Sequence, residues 1–520
     1  MTASSASGPW VLGIDLGTTT VKAGVFSAQG RCAAMASREQ TLLFPAPGRV
    51  EQAPEATWQL QCETVREAVA QAGVPPDGVV AAALSIQRGT AIVLGEDRTP
   101  LTNHIVWMDR RGTSQLEWAR SRVGADRYYD ACGHPLVPYT GLSKVLWAHR
   151  EARELAGRSR VIVPPQTYHL LRMGVEDLVC DPSVGTFFFP FDLRQAAWNT
   201  AMLSALEVPE SSLPRVVGST AVLGLLSRAA AEACGLSTRT QIVTGGGDGQ
   251  CAAVGSGVVH PGQVMINIGT ATGVQTYLEA PRFDPRRLLN CATHVVPGAW
   301  EMEGHTQASG AVLRWLRDHL WLGAGDDPGS AYRRMVEEAA RAPRGAGGLL
   351  VLPTFNGTSA PWDRPEFRGA ILGLTLNHDR AALLRAFLEG ISLEIRWMLD
   401  AMREAGVAVG GVRLVGGGST SPAWNRIHAD TLGVPVQTVD VPDATVTGAA
   451  ICAAVGAGLY RDVHTACRTF VRPGAVWNPE PASTEDYGKL YAVFRGAIDA
   501  LGREGTFARL GELDRRGGAS

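Results

Sequence analysis

Two segments of this chain, far apart in sequence, repeat one pattern: an apolar strand, a Gly-Thr turn and a second strand. The first covers residues 10–26 and the second residues 264–277. Apolar runs separated by turn residues in this way predict β-hairpins. The repeat suggests an internal duplication, so we expect two related structural units, each beginning with such a hairpin.

Both halves of the chain also combine strands with helices. Residues 57–72 carry apolar side chains at helical spacing before Gly73, and residues 79–86 form a continuous apolar run. In the second half, residues 380–399 predict a helix and residues 412–415 a strand. Because 520 residues exceed what one core usually organises, the predicted fold class is α/β with two domains and a cleft between them.

The domain boundary is predicted at the three glycines that precede Asp248, where the apolar pattern is interrupted and a hinge would fit. This divides the chain into an N-terminal domain of residues 1–246 and a C-terminal domain of residues 247–470. Residues 471–520 are predicted to form a C-terminal extension.

The composition of the chain limits which classes of partner and which cellular location are expected. The formal net charge is −2 with 19% charged residues and no block of like charge, which argues against a nucleic-acid or membrane-surface partner. The nine cysteines show no metal or redox spacing, so we expect reduced thiols. No apolar run approaches a membrane span or a signal segment. The cytoplasm is the expected location and a small molecule the expected substrate.

The turn from Gly17 to Thr20 has the composition of a phosphate-binding site. Glycine lets backbone N–H groups approach an anion, and threonine hydroxyls add donors. Asp15 is placed to hold Mg²⁺ through water, and Lys22 to offset phosphate charge. An ordinary hairpin turn is the alternative.

Asp248 is the candidate proton acceptor for phosphoryl transfer to a hydroxyl group, because the preceding glycines leave its side chain accessible. Capping of the helix that follows is the alternative role. The glycines 416–418 after a strand would let a flat base approach the backbone, or they form a plain tight turn. The chain contains no GxxxxGK[ST] loop, so a P-loop does not explain nucleotide binding.

Two further side chains are candidates for substrate binding. Arg88 and Tyr139 are able to donate hydrogen bonds to substrate hydroxyls, although surface or packing roles are the alternative. The segment Trp107 to Arg111 is predicted to contain a structural ion pair near a strand end, with contact between Asp109 and the substrate as the alternative.

In their order along the chain, these features resemble the FGGY family of carbohydrate kinases, within the actin-like ATPase superfamily, over roughly residues 10–470. The blocks that carry the resemblance are Gly13-Ile-Asp-Leu-Gly-Thr-Thr-Thr20, Val50-Glu-Gln52, Trp107-Met-Asp109, Gly245-Gly-Gly-Asp248, Ile268-Gly-Thr270, Gly416-Gly-Gly418 and Gly448-Ala-Ala450. The resemblance implies two actin-like, ribonuclease H-like ATPase domains that close around sugar and ATP.

The resemblance also implies roles for residues. ATP would be bound by Thr18, Thr19, Thr20, Lys22, Thr270, Gly310, Gly417 and Gly418. Asp248 matches the catalytic base of the family and, with Arg88 and Tyr139, the substrate contacts, while the Mg²⁺ role of Asp15 rests on its place at the strand end. The implied cofactors are ATP and Mg²⁺ and the implied partner is a small sugar or polyol; a homodimer is left open.

The substrate is less constrained. Arg88 and Tyr139 fall where glycerol kinases bind glycerol, but Gly89 replaces the glutamate of those enzymes, and we interpret this as a larger pocket. The segment from His294 to Trp300 is similar to xylulokinases, although their Gln-Met-His-Gly motif is replaced by residues 87–90. We therefore predict a ketopentose kinase of the xylulokinase type, with a glycerol or other polyol kinase as the alternative. The alternative of another class is an actin-like ATPase switch or chaperone without a sugar substrate.

Overall fold

The computed structural model describes residues 8–151, 160–321 and 328–517. Its strands are β1 Trp10–Leu16, β2 Thr20–Ser27, β3 Cys32–Glu39, β4 Glu51–Gln52, β5 Val79–Ile86, β6 Ile92–Gly95, β7 His104–Ile105, β8 Arg160–Val163, β9 Val179–Cys180, β10 Phe191–Asp192, β11 Ala197–Trp198, β12 Arg215–Val216, β13 Val222–Leu225, β14 Gln241–Gly247, β15 Gly262–Ile268, β16 Thr272–Thr276, β17 Asn290–Thr293, β18 Trp300–His305, β19 Leu350–Leu352, β20 Ala370–Leu372, β21 Val409–Val415, β22 Val436–Asp440 and β23 Arg472–Trp477.

The α-helices are α1 Pro54–Ala72, α2 Thr113–Val123, α3 Ala125–Cys132, α4 Gly141–Arg150, α5 Pro165–Met173, α6 Pro182–Phe188, α7 Thr200–Ala205, α8 Arg228–Cys234, α9 Asp248–Gly255, α10 Gly310–Leu316, α11 Pro328–Ala339, α12 Arg380–Glu404, α13 Pro422–Leu432, α14 Ala444–Gly456, α15 Val463–Phe470, α16 Pro481–Arg503 and α17 Thr506–Gly517. Over the described ranges, none of these helices combines the length and apolar character needed to cross a bilayer.

Two large sheets follow the same plan. The first has the strand order β13-β14-β5-β1-β2-β3, and the second β17-β18-β16-β15-β21-β22-β23. In each, an antiparallel hairpin (β1–β2 or β15–β16) is continued on its other side by parallel strands, β5 and β14 in the first sheet and β21 and β22 in the second. The duplication and the α/β class predicted from the repeated hairpin are confirmed.

The elements predicted from local pattern are present. Helix α1 ends at Gly73, whose φ of 64° closes the helix in the left-handed conformation. Strand β5 coincides with the predicted residues 79–86, and α12 extends the predicted helix to Glu404. Strand β1 is buried along its whole length, as expected for a strand covered on both faces.

Helices α9 and α14 join the two sheets, since α9 follows β14 of the first and α14 follows β22 of the second. They touch backbone to backbone. A Cβ atom added at Gly255 would lie 1.8 Å from the carbonyl oxygen of Ala444, and one added at Gly448 would lie 1.9 Å from that of Cys251. Helix α14 also covers β1, where a Cβ atom at Gly13 would lie 2.1 Å from the carbonyl oxygen of Val446. These close contacts require glycine at all three positions.

The three glycines at the predicted boundary lie in β14, where they pair in parallel with β5 and are buried. Gly245 sits at a register shift with a φ of 76°, and a Cβ atom there would meet the carbonyl oxygen of Leu84 at 1.8 Å. Gly245 thus serves close strand packing, whereas Cβ atoms at Gly246 and Gly247 would meet the side chains of Val295 and Gln250. The interpretation of these glycines as a hinge stays a prediction. The division at residues 246 and 247 stays a prediction.

The segment predicted as a C-terminal extension is built into the second sheet. Strand β23 pairs with β22 at the sheet edge, and α16 follows it. The phenol of Tyr487 on α16 donates a hydrogen bond to buried Glu389 of α12, 2.7 Å away, and Arg385 donates to the same carboxylate at 2.7 Å. These contacts fix the C-terminal helix against the core of the second domain.

Candidate active site

The first hairpin turn carries charged groups on neighbouring strands. Asp15 at the end of β1 lies opposite Lys22 of β2, with the ammonium 3.9 Å from the Asp15 carboxylate. The same ammonium donates to Asp443 at 2.8 Å, and Asp443 accepts the Val446 N–H as the N-cap of α14. Lys22 therefore ties the first hairpin to the helix that arrives from the second sheet.

The threonines of this turn differ in environment. Thr19 is exposed at the tip, while the carbonyl oxygen of Thr20 accepts the N–H of Gly17 at 3.0 Å. The hydroxyl of Thr18 donates to the side-chain oxygen of Gln87 at 3.1 Å and accepts from the indole of Trp107 at 2.9 Å. The predicted phosphate turn is therefore in contact with side chains from two other segments.

The second hairpin turn is held by main-chain contacts. The N–H groups of Gly310 and Ala311, at the start of α10, donate to the carbonyl oxygens of Gly269 and Thr270 at 3.0 Å each. A Cβ atom at Gly310 would lie 2.4 Å from the Gly269 carbonyl oxygen. The helix start and the turn form one rigid unit.

The glycine turn after β21 packs on the same hairpin. Gly416 has a φ of 82°, and a Cβ atom there would meet the carbonyl oxygen of Ile268 at 2.6 Å. Gly417 and Gly418 open a short 3₁₀ turn, and Gly418 faces the Ile268 side chain. The structure thus brings Thr270, Gly310, Gly417 and Gly418 to one end of the second domain.

Two adjoining cavities lie between the sheets. The larger, of about 270 Å³, is lined by Thr18, Arg88, Trp107, Tyr139, Phe187, Asp248, Gly273, Gln275, Glu303, Gly304 and His305. The smaller, of about 220 Å³, is lined by Asp15, Gly17, Arg88, Asp248, Gly249, Ala252, Met265, Asn267, Gly273, Gln275 and Thr445. Asp248 and Arg88 belong to both walls. Thr19, Thr20, Lys22, Thr270, Gly310, Gly417 and Gly418 line neither.

Asp248 begins α9 and keeps 40% of its side chain exposed. Its carboxylate accepts the N–H of Gly249 at 2.8 Å and the Arg88 Nε–H at 2.9 Å. The N-cap position is taken by Gly247, so capping does not account for the aspartate. An accessible carboxylate oriented by a guanidinium at the junction of two cavities is able to accept a proton from a bound hydroxyl group.

Arg88 connects this carboxylate to the second domain. Its guanidinium donates to Glu303 of β18 at 2.8 Å and lies over the Phe187 ring, with 4.1 Å to the ring centroid. Burial raises the pKa of the Glu303 carboxyl group, but the charge of Arg88 outweighs burial and holds this pKa below its usual value. Burial and the neighbouring Glu303 raise the pKa of Glu301 well above its ordinary value. The two carboxyl groups therefore differ, Glu303 being shifted toward its ionised form and Glu301 toward its protonated form.

Lys144 holds the segments of the cavity wall that carry Trp107 and Tyr139. The buried Lys144 ammonium donates to the carbonyl oxygens of Trp107 and Thr140, at 3.0 Å each, and to that of Pro138. Its three N–H groups are thus all engaged, and they clamp the segments that present Trp107 and Tyr139 to the cavity.

Gly89 does not enlarge the pocket as interpreted from the sequence. Its φ is 68°, and a Cβ atom would lie 2.1 Å from the carbonyl oxygen of Tyr139. The backbone of the Tyr139 loop occupies the space, so glycine is required for that approach.

Comparison with known proteins decides the family. Residues 10–255 match the FGGY family of carbohydrate kinases, N-terminal domain, and residues 264–457 match its C-terminal domain. The chain belongs to the FGGY family of carbohydrate kinases. It is 33% identical to the glycerol kinase of Methylibium petroleiphilum, over 87% of this chain and 91% of that protein. With the xylulose kinase of Bacillus subtilis the identity is 27%, over 94% and 96% of the two chains.

Solved structures agree with this assignment. The ligand-bound xylulose kinase from Lactobacillus acidophilus superposes with a TM-score of 0.87 at 24% identity, covering 95% of this chain and 98% of that chain. The fold is therefore the two-domain, actin-like ATPase fold predicted from the resemblance. The chain is an ATP-dependent carbohydrate or polyol kinase.

Several residues of this FGGY kinase that line the larger cavity were not predicted. Glu303 and His305 lie on β18 with Glu301, and the three alternate with Met302 and Gly304. Polar residues at every second position of a buried strand point to one face, and this period-2 pattern was a usable signal. Gln275, Trp107 and Phe187 carried no comparable signal, because their positions depend on contacts distant in sequence.

The predicted ion pair near Trp107 is confirmed. Asp109 accepts from Arg111 at 2.8 Å and from the N–H of Val50 at 2.7 Å, and both side chains of the pair are buried. Arg111 also contacts Glu51. The pair anchors the Trp107 turn to the segment 50–52.

Asp15, the predicted Mg²⁺ contact of this FGGY kinase, lies on the wall of the smaller cavity. Burial and the nearby carboxylates of Asp443 and Asp248 raise its pKa to about 7, and a cation in the smaller cavity would relieve that repulsion. Within the described residues, no group of three or more His, Cys, Asp or Glu side chains is arranged to hold a metal ion. Mg²⁺ commonly takes one or two carboxylates together with water and substrate phosphates, so the residues present fit a nucleotide-bound ion.

Proposed function

We propose that this enzyme transfers the terminal phosphoryl group of ATP directly to a hydroxyl group of a neutral ketopentose such as xylulose. The observation that carries the proposal is the position of Asp248, whose accessible carboxylate lies on the walls of both cavities beside Arg88. The larger cavity would hold the sugar and the smaller the transferred group. In-line transfer needs this adjacency.

In this proposal Asp248 accepts the proton of the attacking hydroxyl group. Arg88 holds the carboxylate in place, and Tyr139 and Trp107 contact the other hydroxyl groups of the sugar. Mg²⁺ bound through water to Asp15 would neutralise charge on the ATP phosphates, and Lys22 would add to that neutralisation.

The ATP side would consist of the two Gly-Thr turns. Backbone N–H groups and hydroxyls of Thr18, Thr19 and Thr20 would face the phosphates from one side, and Thr270 from the other. Gly310, Gly417 and Gly418 would contact the nucleoside part. Closure of the domains would exclude water and so limit hydrolysis of ATP.

A neutral substrate longer than glycerol is favoured by the cavity itself. The carboxylates of Glu303 and Asp248 accept hydrogen bonds from hydroxyl groups but would repel a carboxylate on the substrate. Several polar groups line the cavity, among them Asp248, Glu303 and His305, and the His305 ring lies 5.7 Å from that of Tyr139. A chain of several hydroxylated carbons offers a hydroxyl partner to each of these groups.

Glycerol or another polyol is the second candidate. Arg88 and Tyr139 line the cavity together with Trp107, in the arrangement that the resemblance to glycerol kinases implies, and the glycerol kinase of M. petroleiphilum is 33% identical to this chain.

The experiment is a coupled assay of ADP release with xylulose, ribulose, glycerol, erythritol and gluconate, on wild type and Asp248→Asn. We expect turnover with a ketopentose, little with gluconate, and a loss of about 10³-fold in the variant, since general-base catalysis contributes about 10²- to 10⁴-fold. ADP binding should survive in the variant. Equal turnover by Asp248→Asn would exclude the proton-acceptor role, and ATP turnover independent of any sugar would favour the ATPase switch.

A further inference from the structure

Three polar residues close a ring of hydrogen bonds beneath the first hairpin turn. The hydroxyl of Thr18 donates to the side-chain oxygen of Gln87 at 3.1 Å, the amide of Gln87 donates to that of Gln52 at 2.7 Å, and the amide of Gln52 donates to the carbonyl oxygen of Thr18 at 2.7 Å. We call Thr18, Gln52 and Gln87 the glutamine ring. The two glutamines are 0% and 3% exposed, so water does not substitute for these bonds.

The polarity of the glutamine ring is set by Trp107. An indole N–H only donates, so its 2.9 Å contact makes the Thr18 hydroxyl an acceptor there and directs the hydroxyl hydrogen to Gln87. That in turn fixes the amide orientation of Gln87 and then of Gln52. The donor and acceptor roles in all three bonds of the ring agree with the direction that the Trp107 indole imposes.

The ring lies between the two halves of the site. Trp107 is a wall of the larger cavity and is 36% exposed, so a bound sugar would contact it. Gln87 directly precedes Arg88, and its own N–H donates to the Leu16 carbonyl oxygen at 3.1 Å. Thr18 belongs to the turn that faces the smaller cavity through Gly17. Sugar contacts and the phosphate turn are thus linked by hydrogen bonds of 2.7 to 3.1 Å, of which the Gln87–Gln52 bond is buried.

We propose that Gln52 and Gln87 are positioning residues that couple occupancy of the sugar cavity to the geometry of the phosphate turn, so that bound sugar tightens the binding of nucleotide. The inference rests on the proposed function. A bound sugar that fixes the Trp107 indole fixes the Thr18 hydroxyl, and through the two amides it fixes the carbonyl oxygen of the same residue. Buried networks of this kind act as a unit because each bond orients the next.

The chain supplies a matched control. The Gln40 amide donates to the Gly17 carbonyl oxygen at 3.0 Å, so it supports the same turn with the same type of bond from outside the ring. A purely structural role of the ring predicts that Gln40→Leu, Gln52→Leu and Gln87→Leu behave alike. Coupling predicts that they differ.

The test is isothermal titration of ADP into the full-length enzyme, without and with a saturating amount of the sugar or polyol that gives the highest turnover. Reciprocal coupling between sites is typically about 5- to 150-fold, so in wild type we expect the sugar to tighten ADP binding at least about 5-fold. Gln52→Leu and Gln87→Leu should bring this ratio close to 1, whereas Gln40→Leu should weaken ADP binding equally in both conditions and keep the ratio.

Trp107→Phe is the milder second variant, because it removes the indole donor and leaves both glutamines in place. It should also lower the ratio, and it keeps the test informative if a buried glutamine variant fails to fold. A ratio unchanged in Trp107→Phe and in the folded glutamine variants would overturn the inference, as would a wild-type ratio of 1, while sugar-dependent ADP release would still stand. Absence of sugar-stimulated ADP release in wild type would overturn the proposed function and the inference together.

Discussion

The two hairpins share a topology but are supported in different ways. In the first, Asp15 and Lys22 face each other across the strands, whereas the corresponding residues of the second are Asn267 and Gly273. The first turn is held by the side chains of the glutamine ring, and the second by the main chain of α10. Duplicated strands therefore provide one charged turn and one neutral turn.

This difference follows from what each turn adjoins. The first turn borders the smaller cavity, where metal and transferred phosphoryl charge are expected, so charged side chains are useful there. The second turn is fixed to the N-terminal end of α10, whose first N–H groups donate to the carbonyl oxygens of Gly269 and Thr270, so main-chain bonds hold this turn without any charged side chain. Under the proposed function, the neutral hairpin would contact the nucleotide and the charged hairpin the metal and the transferred phosphoryl group.

The largest effect is expected when the aspartate of the first hairpin and the asparagine of the second are exchanged. Asp15→Asn makes the first hairpin resemble the second, and it should lower kcat about 10²- to 10⁴-fold, because metal-assisted charge stabilisation is worth several kcal/mol. Coupled ADP release at varied Mg²⁺ measures this effect. Asn267→Asp places a second carboxylate on the wall of the smaller cavity, so it should raise the KM for ATP about 10-fold and change kcat less. Equal effects of the two variants would contradict the division of roles.

A smaller effect is expected where the neutral turn depends on main-chain contact. Gly310→Ala would place a Cβ atom 2.4 Å from the Gly269 carbonyl oxygen, so the turn must shift. Misplacement on this scale costs up to about 10²-fold, and we expect the KM for ATP to rise about 10-fold or more with an unchanged KM for the sugar, measured by steady-state kinetics.

Gly488→Ala is the control for Gly310→Ala. Gly488 lies within α16 and has no atom within 4 Å of an added Cβ. Its replacement should leave both KM values unchanged and stabilise the helix by about 0.5–1 kcal/mol. A sugar KM that rises together with the ATP KM in Gly310→Ala would show that the second turn also serves the sugar side.

The local sequence pattern was sufficient to predict the strands and turns of the site, but not the side chains from distant segments that contact them. The two hairpins, α1 and β5 follow from residue spacing alone, because a strand or helix is set mainly by its own side chains. The Gln87–Gln52 bond spans 35 residues and the Arg88–Glu303 pair spans 215, and contacts at that distance are created only by the packing of whole elements. The site residues transferred by resemblance stay predictions until the variants are measured.

Glycine was the residue type that sequence interpretation handled least well. The three glycines before Asp248 suggested a hinge and Gly89 suggested extra space, yet at Gly89 and at Gly245 an added Cβ atom would meet a backbone carbonyl oxygen. A missing side chain is compatible with freedom, with space and with close contact, and only the neighbouring element decides among them. For Gly89 that neighbour is the Tyr139 loop, 50 residues further along the chain.

The smallest expected effect tests whether the second hairpin is as neutral as it looks. Strand β18 pairs with β16 of that hairpin and carries Glu301 and Glu303. Because Arg88 balances the charge of Glu303, an unbalanced charge behind the hairpin is absent only if buried Glu301 keeps its proton. Its pKa is raised by burial and by Glu303, which means that above about pH 4.5 the folded state binds a proton that the unfolded chain has released. The stability associated with that proton is therefore lost as pH rises toward and through the folded pKa.

Glu301→Gln removes this titration and keeps the shape of the side chain. The melting temperature of the variant minus that of wild type should therefore increase as pH rises from 5 to 9. Activity at pH 7 should change less than about 3-fold. Glu303→Gln should instead lower sugar affinity at every pH, since it weakens an ionised partner of Arg88. A melting-temperature difference between Glu301→Gln and wild type that stays constant over this range would mean that Glu301 is ionised and that the second hairpin has a charge behind it.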